Sequence, residues 1–253
     1  NVDNKPNLSP LINACELVGS KLEKGSYVVF ESTVYPGCTE TICLKTLEAC
    51  SGLKCIKDFN IAYSPERVDP GTNGKALSDA VKLVAGDTND TSKYVASVYK
   101  KICTTGVYIS ESIKVAESSK LIENIQRDVN IALINEFQKY CEKASINLTD
   151  VLRSANTKWN FIPFKPGLVG GHCIAVDPYY MIESANSFGV EVPTIENARA
   201  TNESMTKWFA GLVKREISLL EKEETSSILL LGGSFKANCD DLRNSKSLEL
   251  AKT

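Results

Sequence analysis

Cys173 stands in Gly167-Leu-Val-Gly-Gly-His-Cys-Ile-Ala-Val-Asp177, after an irregular stretch and at the expected start of a helix. The paired glycines Gly170 and Gly171 let backbone amides come close to a ligand, and a helix N-terminus lowers a thiol's pKa from about 8.5 towards neutrality. Together these features describe a reactive thiolate able to attack a carbonyl carbon. Free cysteine is more often a small core residue, and the cysteines at 15, 38, 43, 50, 55, 103, 141 and 239 are read that way. Lys120, Asn124 and Arg127 follow one another at i, i+4 and i+7, so all three are expected on one helical face. Spacing alone would equally suit a solvated face. Their neighbours Leu121, Ile122, Ile125, Val129, Ile131, Leu133 and Ile134 predict instead a helix that is apolar over most of its circumference. A polar stripe on such a helix needs partners. An ammonium beside a carboxamide suits a developing oxyanion, and the ammonium would also lower the pKa of a nearby thiol.

The elements that must position these groups are legible from periodicity. A helix is expected over 8–22, a buried strand over 27–31, a helix over 39–49, strands at 59–63 and 81–85, a helix over 91–101 and a strand at 107–109. Alternation of this kind predicts βαβ units on a parallel sheet, and in open α/β sheets ligands bind beyond the carboxyl ends of the strands. Two loops fall there, Ser32-Thr-Val-Tyr-Pro-Gly37 and Ser64-Pro-Glu-Arg-Val-Asp-Pro-Gly71, which makes Thr33 and Glu66 candidates. Ordinary turns and helix caps use the same residue types, so that alternative stays open. One long helix is expected over 112–144, where no Gly or Pro interrupts the pattern. A shorter helix at 149–155, an irregular loop over 156–171 and helices at 178–188 and 194–221 follow. Ser227-Ile-Leu-Leu-Leu-Gly-Gly233 reads as the first strand of a further α/β unit that the chain leaves unfinished.

Composition narrows the function classes. The chain has 253 residues, 43% hydrophobic and 24% charged, with a net charge of -2, which disfavours nucleic acid or an anionic membrane as partner. No stretch reaches the roughly 18 apolar residues of a membrane span, and no secretory signal pattern opens the chain. Nine scattered cysteines, an odd number, argue for a reducing cytoplasm over a disulfide framework. With one histidine, no CxxC and nothing tighter than C-x4-C, a zinc site is not expected. No G-x-G-x-x-G occurs. Because a nucleotide-binding sheet normally opens with strand, Gly-rich turn and helix, the chain is expected to be a fragment lacking both termini and to be inactive alone.

With these residues in hand, the sequence resembles the UDP-glucose/UDP-N-acetylmannosamine dehydrogenase family over nearly its whole length. The matching segments are Glu31-Ser-Thr-Val-Tyr-Pro-Gly37, Tyr63-Ser-Pro-Glu-Arg67, 120–136 (KLIENIQRDVNIALINE), Pro166-Gly-Leu-Val-Gly-Gly-His-Cys173 with Val176-Asp-Pro-Tyr-Tyr180, and Phe235-Lys236 with Asp241-Leu-Arg243-Asn-Ser245. The resemblance implies an α/β chain: the rest of a Rossmann-like NAD domain (1–111), a central helical dimerisation region (112–222) and the start of a Rossmann-like UDP-binding domain (223–253). It implies NAD as cofactor, a UDP-sugar as substrate and a homodimer through the central helices. Carried over by position, Cys173 is the nucleophile, Lys120 and Asn124 stabilise oxyanions, Asp177 and Thr33 hold the water that takes the alcohol proton, and Glu66 assists thioester hydrolysis. Ser32, Thr33 and Arg243 fall to the cofactor. Arg127, Asn160, Phe164, Lys165, Gly170, Gly171 and Lys236 fall to the substrate. The implied reaction oxidises a C6 alcohol to a carboxylate in two hydride transfers, through a thiohemiacetal and a thioester on Cys173.

The forms of Tyr63-Ser-Pro-Glu-Arg67 and Pro166-Gly-Leu-Val-Gly-Gly-His-Cys173, together with Lys158-Trp-Asn-Phe-Ile-Pro-Phe164, resemble members acting on UDP-N-acetylhexosamines in surface polysaccharide synthesis. UDP-glucose and UDP-N-acetylmannosamine are the alternatives. Some UDP-glucose members carry a second glutamate where this chain has Pro70. His172 adjoins the nucleophile, but neighbouring side chains diverge and Cys-His pairs are assembled from distant positions, so it is not read as the base. A non-redox cysteine transferase or hydrolase is the competing class.

Overall fold

The computed structural model describes residues 6–67, 80–219, 226–235 and 237–253. They fall into two compact units, 1–123 with 179–190, and 124–178 with 191–253. The long helix α4 (Ile113–Ala144) contributes residues to both.

In the first unit, β1 (Tyr27–Phe30), β2 (Asn60–Tyr63), β3 (Lys82–Gly86) and β4 (Val107–Ile109) form one sheet in that order. β1 and β2 are parallel, with Phe30 opposite Tyr63, and β3 and β4 are parallel. β2 and β3 are antiparallel, which corrects the expectation of an all-parallel sheet. Asp87, just past β3, explains the reversal: its carboxylate accepts from the Ile61 amide at 2.9 Å and from Asn60 Nδ2 at 3.1 Å, while its own amide donates to the Ile61 carbonyl. The chain is thereby pinned at the start of β2 as it leaves β3, a geometry only an antiparallel neighbour satisfies.

Both faces of the sheet are covered. Phe30, Ile61, Tyr63, Leu83 and Ala85 pack with Cys15 of α1 (Ser9–Gly19), Leu47 of α2 (Leu44–Ser51) and Ile113 and Ala116 of α4. On the other face Ala62 and Val84 meet Val95 of α3 (Asn89–Tyr99). α3 starts where Thr88 accepts from the Thr91 amide, a conventional N-cap. Gly86 is required before it, because a Cβ there would lie 2.7 Å from the Ser92 amide nitrogen. A π-helical turn, Thr39–Cys43, leads into α2.

The second unit is helical: the rest of α4, α5 (Leu148–Ala155), α7 (Pro193–Ser218) and α8 (Lys246–Lys252). Ile134, Cys141 and Leu148 form its apolar cluster, with Phe164 packed against them. α4 and α7 are joined chiefly by polar groups. Arg199 Nη1 donates to Asp128 Oδ1 at 2.6 Å, Asn202 Nδ2 donates to the same oxygen at 2.7 Å, and Asn135 Nδ2 donates to Asn202 Oδ1 at 2.8 Å. All four side chains are buried. Burial pushes the Asp128 carboxyl up, against the lowering pull of Arg199.

Expectation and structure part at 227–231, read as a strand. Residues 227–233 are assigned to no strand among the described residues, and Leu229 and Leu231 are more than four-fifths exposed. An apolar run becomes a strand only when a neighbour supplies its ladder. Among the described residues no helix is long and apolar enough to cross a membrane, and no group of histidine, cysteine or carboxylate side chains could hold a metal.

Removing the guanidinium from the α4–α7 junction should be costly. Arg199→Ala is expected to lower unfolding free energy by about 3 to 5 kcal/mol, the scale for a buried carboxylate stripped of its partner, with Asp128→Asn on that background recovering part of the loss. Urea unfolding of the three proteins measures this, and an Arg199→Ala variant within about 1 kcal/mol of the parent would refute it.

Candidate active site

The candidate residues divide between the two units. In the first, Thr33 and Glu66 ride on loops that leave the carboxyl ends of two paired parallel strands. The pairing continues into them: the Ser64 amide donates to the Phe30 carbonyl at 2.8 Å and the Glu66 amide to the Glu31 carbonyl at 3.3 Å. Ser32 and Glu66 are exposed and Thr33 half-buried. Glu31, immediately before Ser32, is tied down by Lys82 Nζ at 2.9 Å and the Tyr99 hydroxyl at 2.5 Å. These two donors hold its carboxyl below its ordinary value even though burial opposes them. The Ser-Pro-Glu-Arg loop is anchored in turn by Arg67, which donates to the Val81 carbonyl and pairs with Glu123 of α4.

The Thr33 loop has an anchor that the sequence reading missed. Glu117 of α4 is fully buried and accepts from the Gly37 amide at 2.5 Å and the Thr39 amide at 3.0 Å. Burial nevertheless raises its pKa. Lys120, three residues on, is buried as expected.

In the second unit Asn124 and Asp177 are both buried and bonded, Asn124 Nδ2 donating to Asp177 Oδ2 at 2.6 Å. Asp177 opens α6 (Asp177–Ser187). Its amide and that of Val176 donate to the Cys173 carbonyl at 2.9 and 3.0 Å, so Cys173 begins the turn by which the chain enters that helix. Cys173 is exposed. Of the other eight cysteines, 15, 38, 43, 103 and 141 are buried, 55 and 239 partly so, and Cys50 is exposed, which corrects its reading as core.

Several neighbours are placed otherwise than expected. Arg127 is exposed, unlike Lys120 and Asn124: at 100° per residue it lies about 20° around the helix from Lys120 but about 60° from Asn124, at the edge of the buried stripe, whereas Asp128 and Asn135 lie about 40° and 20° from Asn124. Ile122 and Leu133, expected inside, are at least half exposed. Phe164 packs into the apolar cluster, while Asn160 and Lys165 are exposed. Gly170 and Gly171 are explained by packing. A Cβ on Gly170 would lie 2.7 Å from the Asn244 carbonyl oxygen and one on Gly171 2.9 Å from the Phe235 ring, and the Gly171 amide already donates to Asn244. His172 Nδ1 lies 3.3 Å from Asp241, and its ring meets Phe235 edge-on. Exposed Arg243 also binds Asp241, holding that carboxyl well below the usual range. Lys236 lies outside the described residues.

The comparisons with known proteins agree with this architecture. Residues 1–103 match the NAD binding domain, and residues 114–204 the central domain, of the UDP-glucose/GDP-mannose dehydrogenase family. The chain belongs to that family, which sets aside the non-redox transferase or hydrolase. It is 45% identical over 253 residues to a UDP-N-acetyl-D-glucosamine 6-dehydrogenase of Salmonella typhi, covering all of this chain and 60% of that protein. It is 47% identical over 248 residues to protein CapL of Staphylococcus aureus, covering 98% and 58%. Among solved structures, a UDP-D-ManNAc dehydrogenase from Pyrococcus horikoshii superposes with a TM-score of 0.87 at 31% identity, covering 99% of this chain and 59% of that one. The chain thus spans about three-fifths of the relatives it matches.

Glu117 offers a pH test. Its carboxyl holds a proton longer in the folded than in the unfolded state, so its contribution is complete below the unfolded value and is lost as pH rises through the folded one. Glu117→Gln loses one of the two amide bonds and should cost about 1 to 3 kcal/mol. Wild type should lead the variant most at acid pH and least near neutrality. A gap that widened with pH in urea unfolding would contradict the assignment.

Proposed function

We propose that the protein containing this chain is an NAD-dependent UDP-sugar 6-dehydrogenase that oxidises the C6 alcohol of a UDP-N-acetylhexosamine to the carboxylate. The observation that carries the reading is the exposed Cys173 at the mouth of α6, one turn before a buried Asp177 held by Asn124. Relatives named as UDP-N-acetyl-D-glucosamine 6-dehydrogenases support an N-acetylhexosamine substrate, and the motif resemblance supports a place in surface polysaccharide synthesis.

Ser32 and Thr33 present two hydroxyls at the carboxyl end of a parallel strand, where an open α/β sheet receives a nucleotide. That donor set fits the nicotinamide riboside end of NAD, and the exposed guanidinium of Arg243 suits its phosphates. When bound, NAD supplies the hydride acceptor for each oxidation. The remaining chemistry belongs to the chain. Asp177, oriented by Asn124, and Thr33 are assigned to the water that takes the alcohol proton. The Cys173 thiolate forms a C–S bond to the aldehyde carbon, giving a thiohemiacetal, and loss of a second hydride leaves a thioester. Water activated by Glu66 breaks the C–S bond, releasing the uronic acid and returning the thiol. Lys120 and Asn124 bear the oxyanion charge. Arg127, Asn160, Phe164, Lys165, Gly170, Gly171 and Lys236 are assigned to the sugar nucleotide, and we keep the domain limits 1–111, 112–222 and 223–253.

The full-length enzyme, given NAD and a panel of UDP-sugars, should form two NADH per sugar and prefer a UDP-N-acetylhexosamine, with Cys173→Ala abolishing the stoichiometric oxidation. One NADH per sugar, or turnover surviving that substitution, would overturn the covalent route.

The partner we propose is a second copy. Leu133, Phe137 and Tyr140, at i, i+4 and i+7 on α4, are about half exposed, an apolar stripe that a soluble monomer would seldom leave open. A cytoplasmic setting suits nine free thiols. Full-length protein is expected to sediment as a dimer and Phe137→Glu as a monomer. A wild-type monomer at micromolar concentration would remove the proposal.

A further inference from the structure

The segment that presents Cys173 has little regular structure of its own. From 161 to 170 the chain is neither helix nor strand, and from 171 to 176 it is a turn. Its backbone polar groups must be satisfied by side chains or by other loops, or be left to water. Two asparagines outside the segment meet part of that need. Asn135, fully buried on α4, reads both backbone groups of Gly167: its Oδ1 accepts from the Gly167 amide at 2.8 Å and its Nδ2 donates to the Gly167 carbonyl at 3.0 Å. A carboxamide placed in this way imitates a neighbouring strand. Asn135 is itself held, because its Nδ2 also donates to Asn202 Oδ1, and Asn202 is bonded to both the carbonyl and the carboxylate of Asp128.

Asn244 repeats the arrangement four residues further along. Its carbonyl accepts from the Gly171 amide at 3.3 Å and its Nδ2 donates to the Gly171 carbonyl at 3.2 Å. Asn244 does this with φ at 53°, a left-handed conformation that asparagine tolerates better than most residues. The two glycines so bracketed lie six and two residues before Cys173. Val169 between them is buried, so the intervening chain is pinned at its centre as well.

We propose that Asn135 and Asn244 are positioning residues that set the backbone of the turn presenting the Cys173 thiol. Neither touches the reacting atoms. Each supplies a donor and an acceptor to one glycine, fixing where the chain enters the turn that the Cys173 carbonyl closes with the Val176 and Asp177 amides. The proposal rests on Cys173 being the nucleophile, and it adds the groups that orient it.

The test uses site-resolved alkylation of the full-length protein by iodoacetamide across a pH range, followed by mass spectrometry. Asn135→Leu keeps the volume but leaves both Gly167 groups without their partner. Asn244→Gly keeps the left-handed backbone and the acceptor for Gly171, and deletes one donor. In both variants the Cys173 alkylation rate at neutral pH should fall by about tenfold, short of the roughly hundredfold that a misplacement of about 1 Å can cost a reacting group, and the midpoint of its pH profile should rise. Exposed Cys50, in the other unit, should react at the wild-type rate, and buried Cys141 should stay protected, reporting an intact second unit. Cys173 rates and midpoints indistinguishable from wild type in both variants, with Cys141 protected, would overturn the proposal. If Asn135→Leu exposes Cys141, Asn244→Gly decides alone. Failure of the nucleophile reading is separate: it would appear as turnover surviving Cys173→Ala, whatever the alkylation rates.

Discussion

The structure depends on a line of buried polar side chains along one face of α4. Glu117, Lys120, Asn124, Asp128 and Asn135 are spaced at i, i+3, i+7, i+11 and i+18, and all five are buried. An α-helix turns 100° per residue, so Glu117, Asn124, Asp128 and Asn135 fall within about 20° of one direction and Lys120 about 60° to one side of it. A carboxylate, an ammonium or a carboxamide taken out of water must find partners or cost several kcal/mol. Four of the five meet that demand by gripping other parts of the chain. Glu117 holds the loop of Thr33, Asn124 holds Asp177, Asp128 holds Arg199 and Asn202, and Asn135 holds Gly167. The requirement that buried polar groups be satisfied thus becomes a means of placing the loops of the candidate site.

That requirement also explains why α4 and α7 meet through charge. An apolar junction of the same volume would be at least as stable, since desolvating a carboxylate and a guanidinium offsets most of their attraction. Leucines, however, would tolerate sliding by a turn. Asp128 accepting from Arg199 and Asn202 together, with Asn135 bridging from Asn202 to Gly167, would lose these bonds if one helix slid by a turn. If Cys173 is the proposed nucleophile, carried as it is on an irregular segment, it needs that register more than it needs the last increment of stability.

How much of this could be read beforehand follows from the kind of signal each feature leaves. Cys173, Lys120 and Asn124 announce themselves by residue type and neighbourhood, and the long helix by an uninterrupted period. The face of that helix was misjudged. Arg127 fits an i+7 rule counted from Lys120 but lies about 80° around the helix from Glu117, whereas Asp128 and Asn135 fit the direction of Asn124. Extending the stripe in both directions would have found Glu117 and Asn135 with no further information. The antiparallel β2–β3 pair was beyond such reading, because strand direction was set by Asp87, which looks like any polar residue at a strand end. Ile228 to Leu231 shows the converse: strand propensity is present, but among the described residues no strand pairs with it.

The glycine pair before Cys173 shows how one residue type can be required for a reason other than the expected one. Gly170 and Gly171 suggest a backbone opened towards a ligand. In the structure their missing side chains make room for the Asn244 backbone and the Phe235 ring, and the Gly171 amide is spent on Asn244. Close approach is still what the glycines permit, but the approaching partner is the Asp241-Leu-Arg-Asn-Ser245 turn. Asp241 in that turn binds both His172 and Arg243. Arg243 and the residue beside Cys173 therefore meet at one carboxylate, which brings together two motifs about seventy residues apart in sequence.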